Sequence, residues 1–503
     1  MAKFKTYDYR QRVLLPVSLE DQLMSGTLEF AIHTLVDKRL DMSIFQSKYR
    51  NEETGRAAYD PKILLKVVLL AYSRGLISSR KIEQACRENV VFMALACGQQ
   101  PDHSTIATFV SSMKDEILPL FRDVLLVCEE MNLLGGTMFA LDGCKLPSNA
   151  SKELSGTFPE LHKKKQKIEA KITQLLAEQI QTDRGPDVPS GPRAPGANRR
   201  QLVEKLQKKA ELIETWLAEN QPKQGAAGRE KQSNITDNDS ATMMTSHGAV
   251  QGYNSQALID AKHQVIVHGE ASGNGQDHGH VPPMLEGALA NLQSLGHGPD
   301  YFKEKIFTAD SNYHTLINLR KCGELGLDAY IPDRKFRNRD PRFDTQKRRR
   351  SRRFTLKDFH YDETLDRYSC PDGKVLKLQV RRCVDHGNVY RKYVAAEEDC
   401  RDCPLRPQCL YGMDSKRKHL AVPIGTEGIN LSKQMVEKIE TAEGRRIYPQ
   451  RLAIVEPVFA NIRINKRLDR FTLRGKIKVN IQWLMYCLVH NIEKIMNYGL
   501  VYA

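Results

Sequence analysis

The stretch MFALDGCKLPSN, Met138 to Asn149, reads as a core strand that runs into a bare carboxylate. Residues 137–141 (TMFAL) are apolar or β-branched, which suits a buried strand. Asp142 follows at once, Gly143 is expected to turn the chain, and Lys145 stands two residues beyond, within reach of a phosphate if one binds there. Taken alone, Asp142 is a turn former, because an aspartate can bond its own backbone. A second strand repeats the arrangement: in IFTADSN, Asp310 comes directly after Ile306, Phe307, Thr308 and Ala309. Two hydrophobic strands ending alike weaken the turn reading. Side by side in one sheet, their carboxylates would meet at one edge, and unpaired carboxylates that close call for a divalent cation.

The surrounding segments alternate in type. AVQGYNSQALID and QVIVHGEA read as strands joined through Ala261, Lys262 and His263, with Asp260 at the hairpin position and a structural role. PPMLEGALANLQSLG and HTLINLRKCGELGL read as helices, and DAYIPD as a short strand. Strand, strand, strand, helix, strand, helix, strand predicts a mixed α/β domain, a mixed sheet flanked by helices. Residues 18–135 read as helical throughout, with Pro61 in a first helical turn and Ser104 as a helix cap. Such short helices fit a helix-turn-helix array, with Arg80, Lys81 and Arg87 near DNA phosphates, and equally a plain bundle. VNIQWLMYCLVHNIEKIMNY has helical apolar spacing and is expected to pack on the sheet, or to meet a partner helix from a second subunit.

Two insertions interrupt this pattern. Residues 158–220 hold two charged helices with apolar stripes around a Pro- and Gly-rich tip, which predicts an antiparallel helical arm. Asp237 and Asp239 follow the arm, and capping is the first role expected of them. Residues 333–440 form a basic, cysteine-containing module. From Arg334 to Arg353 eleven basic residues, among them Arg348, Arg349 and Arg350, stand against Asp340 and Asp344, a net charge of about +9. A block of one sign repels itself unless a polyanion relieves it, which points to nucleic acid.

The totals agree. The chain has 503 residues, enough for about three domains, with 76 Lys+Arg against 61 Asp+Glu and a formal charge of +15. Surplus positive charge suits a polyphosphate partner, since each neutralised phosphate releases counterions. No segment has the roughly 18 uninterrupted apolar residues of a membrane span, and the N-terminus lacks a signal-peptide pattern, so a cytoplasmic protein is expected. Disulfides rarely persist there, leaving eleven cysteines as thiols or ligands. Cys370, in YSCPDGK, with Cys400, Cys403 and Cys409, in CRDCPLRPQC, has the spacing of a structural zinc site. An iron–sulfur cluster or unligated thiols are the alternatives.

A third acid lies on a late helix, in RRIYPQRLAIVEPVFANIR, where Glu456 interrupts apolar Ile454, Val455, Val458 and Phe459. Together ALDG, TADS and VEPVF resemble the DDE triad of RNase H-like transposases, specifically the bacterial insertion-sequence group with an all-helical N-terminal domain. The resemblance covers almost the whole chain, including DPKILLKVVLLAYSRGLISSRKIE, PDHSTIATF and the terminal INKRLDRFTLRGK. It implies a helical DNA-binding domain over 1–135 and an RNase H-like catalytic domain over 136–157, 221–332 and 441–503. The arm over 158–220 and the basic module over 333–440 would interrupt that domain.

Carried over residue by residue, the resemblance makes Asp142, Asp310 and Glu456 the catalytic acids, holding two Mg²⁺ (or Mn²⁺) ions for in-line phosphodiester displacement. Relatives carry Tyr-x2-Arg-x3-Glu-x6-Lys around the glutamate. Here four residues rather than three separate Arg451 from Glu456, which on a regular helix turns Arg451 about 140° away from it. Tyr448, Arg451, Arg463 in the lysine position, Lys466 and Arg467 are the DNA contacts implied at this helix and just beyond it. The implied function is binding of an element's terminal inverted repeats, metal-dependent cleavage and strand transfer, with a homodimer assembled on double-stranded DNA in a prokaryotic, nucleoid-associated setting. A transposase-derived DNA-binding protein without activity is the rival reading, and a simple nuclease a second.

Overall fold

The computed structural model describes residues 18–49, 57–183, 195–225, 228, 230–245, 248–340, 354–385, 388–410, 415–424 and 427–499. The chain divides into two compact units. One comprises Met1–Leu134, Leu146–Ser240 and Ala460–Ala503, the other Gly135–Lys145 and Ala241–Phe459.

The first unit is helical. It contains α1 (Leu28–Lys38), α2 (Pro61–Ser73), α3 (Ser79–Glu88), α4 (Val90–Leu95), α5 (His103–Ser112) and α6 (Ile117–Glu130), with the long α17 (Lys476–Tyr498). Asp60 accepts a hydrogen bond from Lys62 N at 2.8 Å, and Pro61 at the first position needs no donor, so α2 starts where the sequence predicts. The cap of α5 is Asp102, which accepts from Ser104 N and Thr105 N, so Ser104 lies inside the helix rather than capping it.

Every residue from Ile481 to Ile492 of α17 is buried. A helix apolar all round needs neighbours on all sides; α17 packs on α1, α2, α5 and α6, with Tyr486 stacked on Tyr72 at 5.0 Å. The expectation that it covers the sheet is therefore replaced by a place in the helical core. Helices α7 (Phe158–Asp183) and α8 (Pro195–Glu219) pack on each other, with Leu161 and Ile213 in a small core beside Leu154 and Ile235 and with Lys165 paired to Glu214. Two-residue pairings, β2 (Ser155–Gly156) with β5 (Ser233–Asn234) and β3 (Lys223–Gln224) with β4 (Glu230–Lys231), tie the base of these helices. Asp239 accepts from Lys476 N at 2.8 Å at the first residue of α17, so it caps a helix.

The second unit is built on a mixed sheet of β1 (Met138–Pro147), β6 (Ala241–Thr245), β7 (Gly248–Asp260), β8 (Ile266–Ser272), β9 (Ile306–Ala309) and β10 (Asp328–Tyr330). The order is β10-β9-β1-β7-β6, with β8 also on β7. Strands β1 and β10 both run parallel to β9, while β7 pairs antiparallel with β6 and β8. Asp260 is structural, as expected: its carboxylate accepts from Gly135 N, Gly136 N and Lys262 N. Helix α9 (Val281–Ser294) packs on β7 and β8; α10 (Leu316–Glu324) packs on α9 and β10.

Strand β1 departs from its sequence reading. It continues through Asp142 to Pro147 instead of ending at Leu141, and Gly143 makes no turn. A Cβ on Gly143 would lie 2.0 Å from Nε2 of Gln256, so glycine is there to let β1 pass close to β7. Strand β6 was not legible in the sequence.

The rest of this unit follows β10. After the short α11 (Phe336–Arg339) comes an antiparallel five-stranded meander of β11 (His360–Asp362), β12 (Arg367–Ser369), β13 (Val375–Asp385), β14 (Asn388–Ala395) and β15 (His419–Ile424). Its core joins Phe359, Tyr368, Leu376, Tyr393, Ala395 and Leu420. Two short helices, α12 (Glu397–Arg401) and α13 (Arg406–Cys409), sit in the β14–β15 connection. Then α14 (Glu427–Glu440) returns to pack on α10 and β10, followed by α15 (Ala442–Ile447) and α16 (Gln450–Ala460).

Candidate active site

The parallel register of β1 and β9 ends at Leu141↔Ala309, so Asp142 and Asp310 are the next residues on adjacent strands. The two carboxylates suspected from sequence do lie at one sheet edge. Strand β9 stops there, and Asp310 Oδ1 accepts from Asn312 N at 2.7 Å, capping a single 3₁₀ turn. The turn-forming role thus belongs to Asp310. Asp142, in mid-strand, accepts from Gly143 N at 2.8 Å through Oδ1 and turns Oδ2 elsewhere.

Its partner is Arg451, whose Nη1 donates to Asp142 Oδ2 at 2.7 Å. Burial pushes the Asp142 carboxyl above the usual carboxylate range; Arg451 and the Gly143 N–H pull it back, and the charge of Asp310 adds to the rise. Burial also raises Asp310, opposed by the Asn312 N–H and by Arg451, and reinforced by Asp277. Of these two desolvated carboxylates Asp142 pairs with the guanidinium directly, and Asp310 feels its charge.

Arg451 occupies the first turn of α16 and is 8% exposed. Whatever its angle to Glu456 on the helix, its long side chain reaches Asp142 directly. Its charge also acts on the neighbouring Tyr448 hydroxyl, and Tyr448 packs edge-on against Phe336 at 5.3 Å. The Arg451 Nε is buried with no hydrogen-bond partner among the described residues. Glu456 is exposed on α16 and makes no hydrogen bond or ion pair among the described residues, and among them no three acids are grouped to hold a metal ion.

A polar network that the sequence reading missed backs the aspartates. Asn254 and Gln256, both buried on β7, donate to Asp277 Oδ1 at 2.7 and 3.1 Å. The buried Tyr313 hydroxyl donates to Gln256 Oε1. Asn312 Nδ2 lies 3.5 Å from Asp277 Oδ2 and 3.5 Å from Asp310 Oδ2. Buried polar side chains need partners, and the run Asn254-Ser255-Gln256 in an otherwise buried strand was the available signal.

The remaining residues singled out from sequence are dispersed. Lys145 Nζ donates to the Met244 carbonyl at 3.2 Å. Arg80 and Lys81 are exposed at the start of α3, and Arg463 is exposed in a π-helical turn, Asn461–Asn465. Arg467 lays its aliphatic stem on Gly75 and is otherwise exposed. Lys466, expected to contact DNA, is instead fully buried and ion-paired with Glu493, which also accepts from Asn461. A cation so placed holds the fold together and is withdrawn from any phosphate. Arg348, Arg349 and Arg350 lie outside the described residues.

The four clustered cysteines are all free thiols near the meander. Cys370, Cys400 and Cys409 pack against its core. Lys374 N donates to Cys370 Sγ at 3.3 Å, and the Cys409 thiol is pushed up by burial and by Cys400, Cys370 and Cys403. Among the described residues, however, no group of three or more His, Cys, Asp or Glu side chains is placed to hold a metal ion. For a divalent cation at the sheet edge, Asp142 and Asp310 supply a fitting pair of hard, desolvated oxygen donors; the remaining ligands are not in place. No helix among the described residues is long and apolar enough to cross a membrane.

Comparison with known proteins gives two family matches. A transposase DDE domain model matches residues 369–496, and a transposase domain model (DUF772) matches residues 17–112. The first spans the four cysteines, Arg451 and Glu456; Asp142 and Asp310 precede it. No curated protein matches the chain. Among solved structures it is similar, at 11% identity, to a piggyBac transposase synaptic complex with hairpin DNA studied by cryo-EM. That alignment covers 94% of this chain and 82% of the other with a TM-score of 0.24, too low to bear on the fold.

Proposed function

We propose, from two family matches that support a DDE transposase of insertion-sequence type, that Asp142 and Asp310 are the strand-borne carboxylates of its DNA-cleaving centre. The observation that carries this reading is their place, one residue beyond Leu141↔Ala309 on adjacent parallel strands, both desolvated, with Arg451 paired to Asp142 and its charge acting on Asp310. An RNase H-like reading of the domain is supported by the strand order β8-β7-β1-β9-β10, in which an antiparallel β7–β8 pair continues into parallel β1, β9 and β10.

The substrate is double-stranded DNA at the element's terminal inverted repeats, then target DNA, with two copies of the chain serving the paired ends. Asp142 and Asp310 would hold Mg²⁺ or Mn²⁺, which when bound supplies Lewis-acid stabilisation of the displaced and attacking oxygens. Glu456 is the third acid of this proposal, brought to the aspartates in the DNA complex by adjustment of α16. Arg451, paired with Asp142, and the neighbouring Tyr448 are positioned to orient a scissile phosphate; a guanidinium grips phosphate in a fixed fork. Exposed Arg80, Lys81, Arg463 and Arg467 are proposed to meet the DNA backbone. The four thiols are proposed to close on one structural Zn²⁺ that stabilises the meander.

The test is purified protein with labelled inverted-repeat DNA and Mg²⁺. Cleavage followed by joining supports the proposal, cleavage alone supports a nuclease, and binding without cleavage supports a transposase-derived DNA-binding protein.

A further inference from the structure

Asp277 lies in NGQDHGH, between β8 and α9, a loop to which the sequence assigns no task. The structure ties it to both aspartates. Its Oδ1 takes the side-chain amides of Asn254 and Gln256, and Gln256 is the residue against which Gly143, next to Asp142, makes its close approach. Its Oδ2 faces Asn312 Nδ2, which stands equally far, 3.5 Å, from Asp310 Oδ2; Asn312 N in turn fixes Asp310 Oδ1.

A merely structural acceptor for two amide groups could be neutral. A carboxylate here places a third negative charge beside two desolvated aspartates, and among the described residues only Asp142 of the three has an ion-pair partner, Arg451. Such a charge opposes the folded state unless a cation offsets it. Its link to Asp310 and Asp142 runs through Asn312 and Gln256, and among the described residues no three such groups are placed to hold one ion.

Resting on the reading of Asp142 and Asp310 as a metal-binding pair, we propose that Asp277 is a positioning residue for that site. It aligns Asn312 and Gln256 behind the two aspartates, and its charge raises their affinity for a divalent cation without ligating it.

The experiment is Mn²⁺ titration of the full chain without DNA, read by loss of the free-ion EPR signal, with thermal melting in EDTA alongside. Asp277→Asn keeps the shape and an acceptor oxygen but removes the charge. It is expected to weaken Mn²⁺ binding by about 10–100-fold, the range found when a group orienting a metal ligand is lost, with melting in EDTA unchanged or raised. Asp277→Glu, which restores the charge, is expected to recover most of the affinity. Unchanged affinity in Asp277→Asn, while Asp310→Asn abolishes binding, would overturn the role of Asp277 and leave the aspartate site standing. Equal losses in Asp277→Asn and Asp277→Glu, or a melting loss in EDTA that accounts for the change, would assign Asp277 to packing and also overturn it. If Asp142→Asn and Asp310→Asn both keep Mn²⁺ affinity, the underlying site itself is wrong.

Discussion

Replacing Arg451 by Gln removes the only ion-pair partner that Asp142 has among the described residues while keeping a side chain of similar reach. Breaking a buried ion pair by deleting one member costs about 3–5 kcal/mol. The Asp142 side chain is 26% exposed, so solvent relieves part of that, and we expect about 2–3 kcal/mol in the metal-free protein at neutral pH. For a unit of this size, that lowers the melting temperature by roughly 2–4 °C per kcal/mol.

The pH dependence has a definite sign. The folded-state carboxyls of Asp142 and Asp310 are raised, so the folded chain binds protons that the unfolded chain has released. Stability contributed by these groups therefore falls as pH rises from about 4, the unfolded carboxylate value, through the raised folded values. Without Arg451 the Asp142 carboxyl rises further. The gap between Arg451→Gln and the parent is then widest at neutral pH and closes as pH falls toward about 4. Added Mg²⁺ should narrow the gap at neutral pH, because a divalent ion replaces the missing guanidinium. Melting curves across pH 4–8 in EDTA and in Mg²⁺ measure all of this. A gap below about 0.5 kcal/mol at neutral pH, or one that widens in acid, would refute the reasoning.

Three further outcomes follow from the same geometry. Gly143→Ala drives a methyl group into Gln256 and should destabilise the sheet by about 1–3 kcal/mol while weakening Mn²⁺ binding, both read on the purified variant. Lys466→Met strands the Glu493 carboxylate and should cost about 3–5 kcal/mol without changing DNA affinity of the folded fraction, as fluorescence anisotropy would show. Metal analysis of the freshly purified chain should find one zinc per protein, falling below half in Cys403→Ser; a metal-free parent would remove the zinc proposal.

Much of the architecture was legible because hydrophobic periodicity is local. The helices of residues 28–130, the two arm helices and the strand-helix succession from 248 to 330 all follow from spacing, with Pro61 marking the start of α2. The meander over 360–424 was not legible: its strands are short or charged, and its core is assembled from aromatic residues distant in sequence, such as Phe359, Tyr368 and Tyr393. The burial of α17 among helices rather than on the sheet likewise depends on tertiary partners, although its apolar run on every face hinted at it. At the candidate site, Asp142 and Asp310 stood out because a charge follows an apolar strand. Asp277 did not, since its partners Asn254 and Gln256 are about twenty residues away. Lys466 looked like one more basic residue in NKRLDR; only Glu493, on α17, shows why it is buried.

The central claim is that two neighbouring strands present Asp142 and Asp310 to the scissile phosphate. Cleavage of labelled inverted-repeat DNA in Mg²⁺ by Asp142→Asn and Asp310→Asn, at matched DNA binding, tests it most directly. Each substitution should lower the rate by about 10³-fold or more, the scale for losing one member of a concerted catalytic set. A variant that binds and cleaves at the parent rate would contradict the account.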